Sequence, residues 1–277
     1  MYRVSKVLNN NGVIAIDMDE NQEYVILGKG VGFGKKVSQR FDKPQECTMY
    51  RLAQETKRGS AKELVKGIEP EYLEIADAIL TEAQKVFGDS IDRGILFPLA
   101  DHISFAVARI RRNEQISNPL TEDIKVLFYS EFKVAETLKT ILKERLQIEI
   151  DDHEVGYVAL HIHSAIGDEK VSVAMQTARA VRECIDMIEK ATGEPIDVLS
   201  LSYNRLMNHM KYMVARASTG EKLNLDMNEY MLDQYPQAYE IAADICKNLE
   251  GCIGHKLDET EIGYLAMHIQ RVYKDAV

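Results

Sequence analysis

The sequence predicts a multidomain protein in which a small antiparallel all-β N-terminal domain is followed by two homologous all-α helical bundles. Three observations predict this organisation. Strand-like runs separated by turn residues fill the first 52 residues, helical apolar spacing begins after them, and the helical part repeats itself at a constant offset of 107 residues. A chain of 277 residues has room for two or three domains. We expect these domains at residues 1–56, 65–170 and 171–277, with a polar linker at residues 54–60.

The N-terminal segment predicts four antiparallel strands. The apolar runs that indicate them lie at residues 2–8, 13–16, 24–27 and 47–52. Between the first two runs, three asparagines and Gly12 tolerate the left-handed backbone of a tight hairpin turn. A four-stranded sheet of this size is small for a stable monomer, so we expect it to pair with a second copy.

The glycine-rich segment at residues 28–36, GKGVGFGKK, has two interpretations. It is either a flexible rim between two strands or a surface that binds RNA. A nucleotide-binding glycine loop is disfavoured, because no helical pattern follows it. In the RNA interpretation, the glycines let the backbone approach a second polymer, the lysines contact phosphates, and Phe33 stacks on an unpaired base. The amides of residues 9–11 would read base edges, and RNA is favoured over duplex DNA because no helix is available here for a major groove.

The helical part contains two related copies. When residues 99–162 are compared without gaps to the chain 107 residues further on, 16 of the 64 positions are identical, against about four expected from average residue usage. The identities include a pair of histidines, separated by 59 residues in each copy: His102 and His161, then His209 and His268. The duplication therefore predicts two homologous helical bundles with the same pair of candidate functional residues.

These histidines have three interpretations: buried core residues, metal ligands or acceptors of a phosphoryl group. In the third, a neutral imidazole takes a phosphoryl group from a donor protein, and the added charge of about −1.5 to −2 repels a partner or attracts an arginine. Arg109 and Arg216, one in each copy, lie two helical turns after the first histidine of the pair. Glu154 and Tyr157 share a helix face with His161 and are placed to orient its ring.

The metal interpretation supports a different class of protein. The alternative function is a metal-dependent hydrolase that uses Asp101, His102, His161 and His163. The second copy argues against it, because Asn208 and Gln270 stand where the first copy has Asp101 and His163. The phosphoryl-acceptor interpretation is therefore favoured over the hydrolase.

Charge and composition limit the remaining possibilities. The net charge of −10 argues against a protein coated in nucleic acid, but the first 52 residues carry +2 and the rest −12, which suggests two functions on one chain. The four cysteines form no Cys-x-x-Cys pair, which favours ordinary thiols over a metal or redox site. The sequence shows neither a signal peptide nor a membrane-spanning apolar stretch, so we expect no membrane insertion and a cytoplasmic location.

Several segments resemble one known family. The N-terminal KVLNNN and GKGVGFGKK patterns resemble the co-antiterminator RNA-binding domain of BglG/SacY/LicT-type transcriptional antiterminators. The segments LADHISFA, VGYVALHIHSA, LMNHMKYMVAR and IGYLAMHIQRV resemble the paired phosphotransferase-system regulatory domains of that family. The resemblance implies a homodimer that binds a hairpin in the leader of a sugar-utilisation mRNA and prevents an overlapping terminator from forming. We accordingly expect no enzymatic activity, no cofactor and no metal.

The resemblance also assigns roles to residues of this chain. The family's RNA contacts fall on Lys6, Asn9, Asn11, Gly28, Lys29 and Phe33. Its phosphorylated histidines fall on His102, His161, His209 and His268. Lys29 stands where the family often has arginine, so the charge is kept and the planar guanidinium is lost. In the family, a sugar-specific permease typically phosphorylates the first regulatory domain and inactivates the protein, whereas the phosphocarrier HPr phosphorylates the second and activates it.

Overall fold

The computed structural model describes residues 1–52, 67–114, 116–167, 170–193, 195–197 and 200–275. They form two compact units. The first unit comprises Met1–Asn118 and Ser130–Glu169, and the second comprises Pro119–Tyr129 and Lys170–Val277. The predicted linker at residues 54–60 lies outside the described residues.

The N-terminal sheet is antiparallel and has five strands. In chain order they are β1 (Tyr2–Asn9), β2 (Gly12–Asp17), β3 (Gln22–Leu27), β4 (Arg40–Phe41) and β5 (Thr48–Arg51). Their order in the sheet is β4-β1-β2-β3-β5. The prediction of four strands was wrong by one, because β4 has only two residues, too few to show an alternating pattern. It pairs with the start of β1, where Tyr2 lies opposite Phe41.

Both faces of the central strands are covered. On one face, Val13, Ala15, Ile26 and the loop residue Val31 form a buried cluster. On the other face the sheet packs against helices of the same unit, where the ring of Tyr50 lies 6.4 Å from that of Phe97. This explains why β2 is apolar at successive positions and not only at alternate ones.

Eleven α-helices lie in the described residues. They are α1 (Pro70–Phe87), α2 (Leu96–Arg111), α3 (Thr121–Leu127), α4 (Tyr129–Ala135), α5 (Thr137–Leu146), α6 (Asp152–Gly167), α7 (Val171–Thr192), α8 (Leu201–Thr219), α9 (Asn228–Gln234), α10 (Pro236–Ile253) and α11 (Thr260–Asp275). None of the helices in this part of the chain is long and apolar enough to cross a membrane.

In the first unit, α1 and α2 pack together through apolar stripes. Pro70 begins α1, where its missing N–H costs no hydrogen bond. Leu73, Ala76 and Leu80 are buried along one side of α1, at the spacing of an amphipathic helix. Along α2, Leu99 and other buried residues form the matching stripe. This packing places His102 at the flank of the buried face of α2.

The helices of the second unit begin and end at recognisable capping residues. The hydroxyl of Ser200 accepts a hydrogen bond from the backbone N–H of Tyr203 at the start of α8. Helices α7, α8 and α10 each end at a glycine with a left-handed backbone. Helix α3, from the first sequence repeat, belongs to this unit, and Asp123 on it accepts a hydrogen bond from the buried Tyr203 hydroxyl at 3.1 Å.

Candidate nucleic-acid interface and histidine pairs

The glycine-rich loop is held against the β1–β2 turn. The N–H of Gly28 donates to the carbonyl of Asn11 at 2.9 Å, and the N–H of Gly32 donates to the carbonyl of Asn10 at 2.9 Å. Between them, the side chain of Val31 is buried in the sheet's core. These bonds favour the interpretation of the loop as a built surface over that of a flexible rim.

Two glycines of this loop are required by close backbone contacts. A Cβ at Gly32 would lie 2.0 Å from the carbonyl oxygen of Asn9, and one at Gly28 would lie 2.5 Å from that of Glu46. Because these neighbours are backbone atoms, neither position accommodates a side chain. For Gly28, an expected RNA contact, the structure therefore shows a role in shaping the loop.

The loop presents an aromatic ring and positive charge to solvent. The side chain of Phe33 is 74% exposed, which is unusual for a large apolar residue. Lys6 on β1 and Lys29 on the loop are both exposed. The ammonium group of Lys35 lies 4.9 Å from the centre of the Phe41 ring. The exposed ring and nearby cations match the combination used to bind unpaired bases and phosphates.

The amides of Asn9 and Asn11 are oriented by the loop. Oδ1 of Asn9 accepts a hydrogen bond from the N–H of Asn11 at 2.8 Å, and Oδ1 of Asn11 accepts one from the N–H of Gly30 at 3.0 Å. The two Nδ2 groups then donate to the carboxylate of Glu74 on α1: Asn9 to Oε1 at 2.6 Å and Asn11 to Oε2 at 3.2 Å. Each amide therefore uses its oxygen to hold the loop and one of its N–H groups to bind α1.

The first histidine pair lies between α2 and α6. The ring centres of His102 and His161 are 5.2 Å apart. Nε2 of His102 is 3.6 Å from Oε2 of Glu154, whose other oxygen accepts a hydrogen bond from Arg109 at 2.8 Å. The ring of Tyr157 lies 5.7 Å from that of His102. The structure thus brings together the histidines, the glutamate and the arginine that the sequence singled out.

The second pair repeats this arrangement between α8 and α11. The rings of His209 and His268 are stacked with their centres 4.8 Å apart. Nε2 of His209 is 3.7 Å from Oε2 of Glu261. Arg216 holds both oxygens of Glu261, through Nε at 2.6 Å and Nη2 at 2.8 Å. A two-pronged arginine clamp of this kind fixes the orientation of the carboxylate.

Burial keeps three of the four paired imidazoles neutral. It lowers the pKa of His102 to about 4, and the positive charge of Arg109 adds to the effect. Burial, followed by the charges of His268 and Arg216, lowers the pKa of His209 to about 3. The pKa of His268 is lowered to about 4, again mainly by burial. At neutral pH these rings carry a free lone pair, which is what a nucleophile needs.

Three of the paired histidines also have a buried ring nitrogen without a hydrogen-bond partner among the described residues. Within the described ranges, the buried Nε2 atoms of His102 and His209 have no hydrogen-bond partner, nor does the buried Nδ1 of His268. Buried polar atoms in proteins are nearly always paired, so these nitrogens are exceptions to ordinary packing.

Comparison with family models covers most of the chain. A model of the CAT RNA binding domain matches residues 2–58, and a model of the PRD domain matches residues 77–165 and again residues 182–272. The chain belongs to the CAT–PRD family. This confirms the predicted order of one RNA-binding domain followed by two related regulatory domains.

Two relatives match this chain over nearly its whole length, and one solved structure matches part of it. The GlcA/glcB genes antiterminator of Staphylococcus carnosus (strain TM300) is 30% identical over 97% of this chain and 94% of its own length. The transcription antiterminator LicT of Bacillus subtilis (strain 168) is 28% identical over 99% of this chain and all of its own length. A crystal structure of GlcT CAT-PRDI matches 60% of this chain and 98% of its own, with 28% identity and a TM-score of 0.52.

The metal site of the alternative hydrolase is not assembled in the first PRD domain. His163 lies two residues after His161 on α6, so the two rings leave the helix on different sides. Nδ1 of His163 instead contacts Oε1 of Glu131 at 2.9 Å. Within the part of the chain that the structure describes, no group of three or more His, Cys, Asp or Glu side chains is arranged to hold a metal ion. The hydrolase hypothesis therefore receives no support.

Sequence reasoning missed two residue groups around the CAT domain. One is Glu74, which binds the amides of Asn9 and Asn11. The other is a trio in which Arg93 donates at 2.8 Å both to the Tyr50 hydroxyl and to Asp77, and that hydroxyl also donates to Asp77. Neither group could be predicted from residue spacing in the sequence, because the partners come from distant parts of the chain.

Proposed function

We propose that this CAT–PRD protein is a sugar-responsive transcriptional antiterminator. Its CAT domain binds a hairpin in an mRNA leader, and the bound hairpin prevents formation of an overlapping terminator. The observation that carries the proposal is the match, across the CAT domain and both PRD domains, to full-length relatives that are named as antiterminators. The protein acts as a regulator and not as an enzyme, as a homodimer, in the cytoplasm where the transcript is made.

RNA binding is assigned to the loop surface and the neighbouring turn. The residues assigned to it are Lys6, Asn9, Asn11, Gly28, Lys29 and Phe33. The exposure of Phe33 supports stacking on a base, and the fixed orientation of the Asn9 and Asn11 amides supports donation from their N–H groups to acceptor atoms of RNA. Gly28 lets the loop close on the turn, so its contribution runs through the shape of the surface.

Regulation is assigned to phosphorylation of His102, His161, His209 and His268. The lone pair of a neutral imidazole attacks the phosphorus of the phosphoryl group carried by the donor protein. A new N–P bond forms, the bond between phosphorus and the donor's side chain breaks, and that side chain leaves with the bonding electron pair. The lowered pKa of His102, His209 and His268 favours the neutral form that this attack requires. Arg109 and Arg216 stand where they can meet the added negative charge.

The two PRD domains receive their phosphoryl groups from different donors. A sugar-specific permease of the phosphotransferase system phosphorylates the first PRD domain and inactivates the protein, and HPr phosphorylates the second and activates it. The proposed functional domains are residues 1–56, 65–170 and 171–277. Asn208 in the second copy, in place of Asp101 in the first, is consistent with recognition of two different donors.

A reporter gene behind a leader terminator tests this proposal. His102→Ala should be active without the inducing sugar, because the inhibitory phosphoryl group has no acceptor there. His209→Ala or His268→Ala should lower readthrough, and an acidic substitute should restore part of it. Equal readthrough from wild type and all four His→Ala variants would remove phosphorylation from the proposal and leave RNA binding alone.

A further inference from the structure

The carboxylate of Glu74 accepts one hydrogen bond from the side-chain amide of each of two CAT-domain residues, Asn9 and Asn11. Its two oxygens accept one hydrogen bond each, at 2.6 Å from Asn9 and 3.2 Å from Asn11. An RNA phosphate or base edge that used these amides would present acceptor oxygens to the same two donors. Hydrogen bonds to an ionised carboxylate are stronger than those between neutral groups. Each amide has a second N–H, but RNA that takes the N–H groups now bonded to Glu74 must first displace it.

A second contact on the same face of α1 shows that this is a docked helix and not a chance contact of one long side chain. Asp77 lies one turn after Glu74, so both carboxylates point to the same side. Asp77 accepts hydrogen bonds from the hydroxyl of Tyr50, on β5, and from Arg93 at 2.8 Å. Tyr50 is buried, and the Arg93 guanidinium lies 5.6 Å from the centre of its ring. Helix α1 is thus attached to the CAT domain at two points.

Glu74 is also paired with a cation from another helix of the same unit. Nη1 of Arg145, on α5, is 3.6 Å from Oε2 of Glu74, and the glutamate side chain is 19% exposed. A negative charge held at this position opposes RNA in two ways. It occupies one N–H of each amide, and it repels any phosphate that approaches the same turn.

We propose that Glu74 is an intramolecular competitor of RNA, and that the CAT domain binds its hairpin only after α1 has moved away from the β1–β2 turn. This inference rests on the proposed contact of Asn9 and Asn11 with RNA. Helix α1 also packs on α2, the helix that carries His102. A rearrangement around His102 therefore has a direct physical route to Glu74.

The test compares variants of the full chain on one RNA. A pool of RNA hairpins with randomised loops is first selected for binding to the Glu74→Ala chain, and dissociation constants are then measured with wild type and with Glu74→Ala. The expected result is about tenfold tighter binding by Glu74→Ala, equivalent to about 1.4 kcal/mol. The matched control is Glu82→Ala on the same helix, where the glutamate pairs with Lys85, and its affinity should equal that of wild type.

Two further variants test the route. Asp77→Asn keeps the Glu74 side chain but weakens the docking of α1 on the CAT domain. Glu74 is then displaced more easily, so this variant should also bind RNA more tightly. Asn9→Ala added to Glu74→Ala should cancel the gain, because the released amide is what the RNA gains. If the selected hairpin binds wild type and Glu74→Ala equally, the inference is wrong and RNA binding stands. If neither chain retains any hairpin, the proposed RNA-binding function is itself wrong.

A measurement without RNA tests the contact directly. In the ¹⁵N-labelled full chain, the side-chain NH₂ signals of Asn9 and Asn11 should shift in Glu74→Ala and stay in place in Glu82→Ala. Unchanged signals in Glu74→Ala would mean that the carboxylate does not hold these amides in solution, which overturns the inference.

Discussion

At the scale of single residues, burial decides the protonation state of the paired histidines. The rings of His102 and His209 lie beside carboxylates, which alone would favour the charged form. Loss of solvation and the neighbouring arginines outweigh this, and the pKa of His102 falls to about 4 and that of His209 to about 3. Each glutamate forms an ion pair with an arginine, and the arginine's positive charge offsets the carboxylate's attraction for a proton on the ring.

The lowered pKa values predict a pH dependence of stability. In the unfolded chain these histidines bind a proton near their usual pKa of 6.5, whereas in the folded chain His209 does so only near 3. Between these values the unfolded state binds more protons, so the free energy of unfolding should fall as the pH falls below about 6.5. Urea unfolding between pH 7 and pH 4 measures this. His209→Gln should show a shallower dependence than wild type, and identical slopes would contradict the assignment.

Phe33 is exposed to solvent, unlike the buried histidines. Its side chain is 74% exposed, so replacing it costs the folded protein little packing. If it stacks on a base, Phe33→Ala should weaken RNA binding by about 1–3 kcal/mol. A binding titration measures this, with Val37→Ala as a control, since Val37 is a second exposed apolar residue of the same loop. Unchanged affinity in Phe33→Ala would leave Phe33 without a part in RNA binding.

At the scale of secondary-structure elements, the segment between β3 and β4 takes its shape from contact with the β1–β2 turn. The chain returns to the turn through Gly28 and Gly32, whose N–H groups bond to carbonyls of the asparagines. The β1–β2 turn and the loop between β3 and β4 therefore form one surface on the sheet, and both carry candidate RNA contacts. Lysine and phenylalanine side chains can be exposed here because Val31 anchors the loop in the core.

Gly32→Ala should disrupt this surface. The added methyl group would lie 2.0 Å from the carbonyl oxygen of Asn9, and a backbone neighbour has no rotamer by which to move away. We expect a loss of about 1–3 kcal/mol in the free energy of unfolding, as for overpacking elsewhere, together with weaker RNA binding. Chemical denaturation and an RNA titration measure the two effects. Gly67→Ala, whose methyl group would meet no atom within 4 Å, is the control and should change neither.

At the scale of the whole molecule, one chain combines an RNA-binding surface with two copies of a histidine–glutamate–arginine cluster. Each copy is built from helices that are far apart in sequence, so the cluster forms only in a folded PRD domain. The CAT domain has a hydrophobic core of its own, in which Val13, Ala15 and Ile26 are fully buried. This part of the CAT domain's core is therefore built from the domain's own residues.

The isolated segment 1–56 should bind a leader hairpin as a dimer and antiterminate without regulation. It retains the loop surface and loses both PRD domains, including Glu74. Sedimentation of the fragment with RNA and the terminator reporter, with and without sugar, measure this. A fragment that binds RNA but still responds to the sugar would place part of the control inside the CAT domain.

Local patterns in the sequence determined the domain order, the four longer strands, the helical repeats and the histidine pairs. Strands and helices show in hydrophobic periodicity, and a duplication shows as matched residues at a constant offset, so no contact needs to be known. Tertiary structure alone decided the short β4, the arginine clamp on Glu261, the turn of His163 towards Glu131, and the contact of Glu74 with Asn9. Asn9 and Glu74 are 65 positions apart. Contacts over such distances depend on how whole elements pack, and one sequence carries no periodic signal of that packing.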